Sequence, residues 1–513
     1  MKTMPTIRLR AQSPQPGVAS PLTLSPPPST PDRPKSATAP PKLRILVAPS
    51  GFKESLGPDE VADCIEAGIR RVLPDPSVAE IRKLPLHDGG EGFCRALVAA
   101  MRNASAVTGT KLNITDGIRE VLVTGPVGKP VLSHYGIVTL DTKARAAVAS
   151  DLDKTQKIGI LDMAAAAGLS LVPATCRDPT LTTTYGVGEL IAAALDEGCD
   201  RIIVGCGDSG TSDGGAGMLQ ALGARLLDSQ GKELPRAAGG ASLLGLEEID
   251  MSGLHPRLRD SATKVHIEAV CNIKNILTGP RGVARVYGPQ KGASPAQVKL
   301  LSRALDKLAS VAERLSPVEH HNIGTRPGSG ASGGLGTAML LLGGRLRPRE
   351  DAIDEYFGVS QLFSPPAASQ SLDPLKAQQK KWDLVVTAEG CLDAQSAQGK
   401  LTVEIARRAR KHGAAVVALA GTIGAGADGV YDDGIAAFTS ILDGPRSLRD
   451  AIDSTAVLLT DAAERAIRMI QMGMGLRGGA VETRQAGAEE SRLEDFKRLS
   501  GPVEMRLARS WTS

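Results

Sequence analysis

The chain has 513 residues, with 60 basic and 56 acidic side chains and a net charge of +4, a balance that excludes the strongly basic surface of a nucleic-acid binder. Apolar residues make up 42% but aromatics only 3%, enough for an Ala, Leu, Ile and Val core but not for a base-stacking platform. The seven cysteines form no C-x-x-C pair, no H-E-x-x-H occurs and no apolar run reaches membrane-spanning length, which points to reduced thiols in a cytoplasmic compartment.

Residues 1–42 hold 11 of the 33 prolines, six basic residues, one acid (Asp32) and no aromatic. That composition predicts a disordered segment. It also shares an acid-poor make-up with mitochondrial transit peptides, although its prolines oppose the amphipathic helix such peptides form. The apolar run over 43–48 predicts a buried strand that ends at Pro49-Ser50-Gly51. Pro58-Asp59-Glu60 opens a helix predicted to reach Val72, with acids in its first turn. A strand over 80–86 completes a βαβ unit. The alternation returns with strands over 201–204, 382–387 and 415–420 and a helix over 403–411. The expected class is therefore α/β. Residues 141–157, 364–381 and those from about 477 onward lack apolar periodicity and read as solvated linkers or tail.

In open α/β sheets ligands bind at the carboxyl ends of strands, and five polar, Gly-rich loops lie there in this sequence. Ser50-Gly51-Phe52-Lys53 offers Lys53 to a phosphate or carboxylate, or simply to solvent. Asp88-Gly89-Gly90-Glu91-Gly92 places two acids where they hold Mg²⁺ or cap the next helix. The third loop runs from Gly205 to Gly215 and includes Ser209, Thr211 and Asp213. With Asp228 it imitates a dinucleotide fingerprint, but its Asp-rich extension suits proton or metal chemistry better. In the fourth, Gly328, Ser329, Gly330, Gly333 and Gly334 suit a phosphate cradle or a close helix contact. The fifth gathers Glu389, Asp393 and Lys400. Lys400 is followed by Leu401, so no Walker sequence G-x-x-x-x-G-K-[ST] occurs and an ordinary P-loop is excluded.

In this order the loops resemble the type I glycerate kinase family over about residues 43–475. The resemblance is carried by Phe52-Lys53 with Ser55-Leu56, by Asp88-Gly89-Gly90-Glu91-Gly92, and by Leu181-Thr182-Thr183-Thr184-Tyr185-Gly186. Asp213-Gly214-Gly215-Ala216-Gly217, Tyr287-Gly288-Pro289-Gln290-Lys291-Gly292, residues 327–336 and Glu389-Gly390 with Leu392-Asp393 complete it. The resemblance implies ATP- and Mg²⁺-dependent phosphorylation of glycerate, at the 2-hydroxyl rather than the 3-hydroxyl. It also implies a Rossmann-like parallel-sheet domain (43–105 and 290–475) with a second α/β domain inserted (106–289) and the active site in the interdomain cleft. A flexible tail would follow from 476.

On this reading Asp213 is the general base and Asp393 its alternate. Lys53, Lys291 and Lys400 neutralise phosphates and the substrate carboxylate, assisted by Ser209, Thr211 and Glu389. Asp88 and Glu91 hold the metal, and the loop from Gly328 to Gly334 cradles the nucleotide. The partners expected are a small hydroxy acid and ATP, with no nucleic acid and no membrane. Four departures mark a divergent branch: Ser50-Gly51 stands for the family's Asp-Ser, Asp208-Ser209-Gly210-Thr211-Ser212 for Gly-Ser-Ala-Thr-Asn, Asn272 for an Asp, and Cys391 for an Arg. Two further readings stay open, the first motivated by the departures at Ser50 and Asn272 and the second by Gly205–Gly210 with Asp228. One is a lapsed homologue that binds a nucleotide or acid as a regulator. The other is a nicotinamide-dependent dehydrogenase.

Overall fold

The computed structural model describes residues 42–52, 55–87, 89–108, 117–139, 157–259, 265–315, 321–357, 359–363, 382–394, 396–398 and 400–482. The expectations for residues 1–41, for most of 141–157, for 364–381 and for the tail beyond 482 lie outside that range. The described strands are β1 (Leu43–Val47), β2 (Ala79–Lys83), β3 (Ile118–Thr124), β4 (Pro130–Thr139), β5 (Lys157–Asp162), β6 (Arg201–Gly205), β7 (Arg225–Leu227), β8 (Glu248–Asp250), β9 (His266–Cys271), β10 (Arg345–Pro348), β11 (Leu384–Leu392), β12 (Ala415–Ile423) and β13 (Ala437–Ser440).

Five of them form a wholly parallel sheet in the order β13-β12-β11-β1-β2. Its strands are continuous apolar runs because both faces are covered. Leu46, Val385 and Val416 pack on one side with Leu401, Ile405 and Ala409 of the Leu401–Lys411 helix. Ile45, Val47 and Val386 pack on the other with Ile65 and Ile69 of the Pro58–Val72 helix and with Leu459 and Ala463 of the Thr455–Glu482 helix. Each fully buried Leu, Ile or Val contributes roughly 1.5–3 kcal/mol. The Pro58–Val72 helix begins where proline and the acids predict. The Glu60 carboxylate accepts from the Gly57 amide at 2.9 Å, and Arg70 and Arg71 close the last turn.

A second sheet has the order β10-β9-β6-β5-β4-β3, parallel except that β4 runs against both neighbours. β7 and β8 make a separate antiparallel ribbon. β2 and β11 flank β1, and every strand between them in sequence belongs to the second sheet or the ribbon. The chain therefore changes sheets after β2 and again before β11. Residues 93–105 and 290–348, expected with the first sheet, go with the second. The Phe93–Thr108 helix packs on β4 and β5, and β10 pairs with β9. Leu301, Leu305 and Leu308 of the Pro295–Leu315 helix pack with Leu226, Leu243 and Ile249. Strand–helix alternation orders the elements but does not say which sheet each strand joins. The last helix also continues to Glu482, past residue 476 where a tail was expected.

Candidate active site

Two clusters of polar side chains form at strand ends, one on each sheet. The first lies after β11. Glu389 is 4% exposed, and its Oε1 accepts from Thr402 Oγ1 at 2.9 Å. Its Oε2 is 2.7 Å from Lys400 Nζ, and Asp393 lies 3.5 Å from the same amine. Lys400 also donates to the Cys391 carbonyl at 2.6 Å. Ser50, at the end of β1, donates from its backbone and its hydroxyl to the Ala388 carbonyl, one residue before Glu389. The three fifth-loop residues picked from the sequence therefore meet around one ammonium. Desolvation, then the neighbouring Asp393 carboxylate, raise the Cys391 thiol above its ordinary range.

The second cluster lies after β6. Asp213 is buried, and its Oδ2 accepts from the Thr184 amide at 2.8 Å, the Thr184 hydroxyl at 2.9 Å and the Gly217 amide at 3.2 Å. Its Oδ1 accepts from the Gly215 amide at 3.1 Å. Burial raises its carboxyl while these donors oppose the rise. The Thr184 hydroxyl in turn accepts from the Met218 amide at 3.0 Å. Asp213 and Thr184 thus satisfy the amide groups at the start of the Ala216–Ala221 helix. Thr184 was legible only as part of a threonine run before a helix.

Lys291 is 3% exposed and donates to Ser209 Oγ at 2.8 Å and to the Thr211 carbonyl at 2.6 Å. Burial pushes its ammonium down to about 7, against the pull of Asp213. The Thr211 hydroxyl is fully buried without a hydrogen-bond partner. Ser209, by contrast, is half-buried. Beside it Asp208 adopts φ +48° and accepts from the Glu91 amide at 3.4 Å. Glu91 accepts from Ser170 Oγ at 3.4 Å. Asp162, at the end of β5, is a buried carboxylate missed in the sequence. It accepts from the Gly92 amide at 2.9 Å and from the Cys94 amide, anchoring the Phe93–Thr108 helix by its N-terminus.

The Gly328–Gly334 loop packs against this cluster. Ser332, Gly333 and Gly334 have φ of +51°, +72° and +100°. A Cβ on Gly333 would lie 2.0 Å from the Thr211 carbonyl oxygen, and the Gly333 carbonyl accepts from Gly214 at 3.0 Å. The amides of Ser329, Gly330, Ala331 and Gly334 already donate to carbonyls of Arg326, Asn275, Gly328 and Gly330. The Ser329 side chain is buried and accepts from the Leu277 amide at 3.0 Å. These contacts fit the close-packing reading of the loop better than a phosphate cradle. The dinucleotide reading of the third loop also lacks its parts. The helix after it spans only Ala216–Ala221, and Asp228 accepts from Gln230 and Lys232 in a turn of its own. Lys53 and Asp88 lie outside the described residues.

One segment ties the clusters together. Leu86 donates to the Pro49 carbonyl at 2.8 Å, beside the end of β1, and Gly89 lies against Cys206 at the end of β6. Three residues of extended chain reach at most about 11 Å, which bounds the separation of Leu86 and Gly89.

The profile of the glycerate kinase family matches residues 45–471. The chain belongs to that family. It is 38% identical to the glycerate kinase of Bacillus subtilis (strain 168) over 81% of this chain and 94% of the relative. It is 36% identical to the glycerate 2-kinase of Escherichia coli (strain K12) over 84% of this chain and 99% of the relative. A solved structure from Salmonella typhimurium LT2 superposes with a TM-score of 0.60 at 35% identity, covering 85% of this chain and all of its own. Family membership makes the chain a kinase. No helix among the described residues is long and apolar enough to cross a membrane.

Proposed function

We propose that this glycerate kinase family member transfers the γ-phosphoryl group of ATP to D-glycerate, giving 2-phosphoglycerate in preference to 3-phosphoglycerate. The observation that carries the reading is two polar clusters at the carboxyl ends of strands, one on each sheet, the first built around Lys400 and the second around Ser209 and Asp213. Phosphoryl transfer needs positioning and charge neutralisation, and separate clusters allow nucleotide and acceptor to be held apart until they meet.

Lys400, held by Glu389 and Asp393, neutralises phosphate charge, together with Lys53. Lys291 lies too deep to touch a phosphate. The hard oxygens of Glu91, which is exposed on its loop, fit Mg²⁺, an ion bound by one or two carboxylates plus substrate phosphates. Glu91 and Asp88 would hold it, and bound there it would neutralise charge building on the transferred group. Asp213 holds the loop and helix start through its four donors. We therefore weigh another destination for the acceptor hydroxyl's proton beside Asp213 and Asp393.

The test is ADP release with D-glycerate, ATP and Mg²⁺, with the product resolved by phosphorus NMR. Turnover at roughly 1–100 s⁻¹, usual for kinases, with the phosphorus signal of the 2-ester is the expected result. ATP binding without ADP release across a panel of hydroxy acids would remove the reading.

A further inference from the structure

We propose that Ser209 takes the proton from the substrate hydroxyl and passes its own to Lys291, so that this pair, rather than a carboxylate, is the proton acceptor of the reaction. The inference rests on the kinase reading above and extends it.

The geometry separates the work between the two side chains. Lys291 is 3% exposed, so no substrate reaches its amine. Ser209 is half-buried and lies 2.8 Å from that amine. Of the two, the half-buried serine is the one we place against the substrate, with Lys291 behind it. The two oxygens on the amine, Ser209 Oγ and the Thr211 carbonyl, are uncharged. A neutral amine keeps one lone pair, so it accepts from the Ser209 hydroxyl across the same distance while still donating to Thr211. Burial brings Lys291 down to about 7, so the neutral form is populated at neutral pH. Asp213, the obvious carboxylate, already takes four donors. Asp393, the other, sits on Lys400.

The step balances. The substrate O–H bond breaks, and its oxygen bonds to the γ-phosphorus. The bond from that phosphorus to the bridging oxygen breaks, and its electron pair leaves with ADP. The substrate proton goes to Ser209 Oγ, and the serine proton goes to Lys291 Nζ, which becomes an ammonium and later returns the proton to solvent. Ser209 is the catalytic residue, and Lys291 acts through it. The charged groups around the pair are Asp213 on its own loop, Asp208 next to Ser209, Glu91 beyond Asp208, and Arg177 and Asp178 on the segment against Gly292.

The experiment is the pH dependence of kcat and kcat/KM for the full chain and for Ser209→Ala, Ser209→Thr, Lys291→Arg and Asp393→Asn. It is combined with ¹⁵N NMR of the lysine side chains. The rate should rise with pH through about 7, as Lys291 loses its proton, and then level off. Ser209→Ala should lower kcat by about 10²–10⁴-fold with little change in KM. Ser209→Thr, which keeps the hydroxyl, should recover much of that loss. Lys291→Arg keeps a cation but cannot accept a proton, so it should lose both the rate and the acid limb. Should Lys291→Arg fail to fold, the two serine variants still decide the question.

Ser209→Ala retaining most of its kcat, or Asp393→Asn alone abolishing the acid limb, would overturn the pair. So would a Lys291 resonance, assigned by its absence in Lys291→Arg, that titrates near the ordinary value of about 10.4. Should D-glycerate give no turnover, the same serine effects and acid limb on another hydroxy acid that is turned over support the pair and remove the substrate assignment instead.

Discussion

Each sheet edge sets a lysine near a carboxylate, directly for Lys400 and Glu389 but only through space for Lys291 and Asp213, and the two clusters are built differently. Around Asp213 every partner is buried, and the donors are mostly backbone amides of neighbouring turns. Around Lys400 the side chain is 35% exposed, and its carboxylates divide between buried Glu389 and half-exposed Asp393. Buried groups with their bonding capacity taken hold a shape, because any change of partner leaves an unsatisfied charge. Half-exposed groups can exchange a partner for a ligand. The same residue types therefore serve as frame in one loop and as contact surface in the other.

The sharpest way to break this contrast is Asp213→Ala. It strips four donors of their acceptor inside the protein and should lower unfolding free energy by about 3–5 kcal/mol, read from a denaturant midpoint. Asp213→Asn keeps the shape. If it also keeps most of its kcat per folded molecule, the residue is frame rather than base. Lys400→Met should do the reverse. We expect kcat/KM for ATP to fall about 10–100-fold, as for loss of one hydrogen bond to a charged group. Stability should fall less than in Asp213→Ala, by about 1–3 kcal/mol, because buried Glu389 keeps Thr402 but loses its cation. Cys391→Ser tests the exposed rim of that cluster. It should leave stability within about 0.5 kcal/mol and the Michaelis constants nearly unchanged, whereas a large effect would mean the rim is as tightly framed as the Asp213 loop.

The local pattern of the chain was readable where one strand or helix carries its own signal. β1, the Pro58–Val72 helix, β6 and the Leu401–Lys411 helix lie within a residue or two of their expected places. Glu389, Asp393 and Lys400 meet because they are close in sequence on one strand and the loop after it. The division into sheets was not readable, because 93–105 and 290–348 alternate in the same way whichever sheet they join. Lys291 stands between glycines and a proline and is expected, from the resemblance, on a phosphate or the substrate carboxylate. Its burial depends on Ser209 and Thr211, about 80 residues away. Asp213 reads as the general base, and its hydrogen bond from Thr184 was hidden in the same way, since Thr184 comes 29 residues earlier.

The insertion of the second sheet between β2 and β11 also fixes an order in time. β1 pairs with β2 on one side and β11 on the other, so the first sheet stays unfinished until the ribosome has made everything between Lys83 and Leu384. At roughly 5–20 residues per second, that wait lasts about 15–60 seconds. During it β1 carries an open, apolar edge, and the inserted half completes its own sheet once β10 is made, before β11 appears. The nascent chain should therefore fold from the middle outward, and the carboxyl-terminal half of the protein closes a sheet that the amino-terminal residues began.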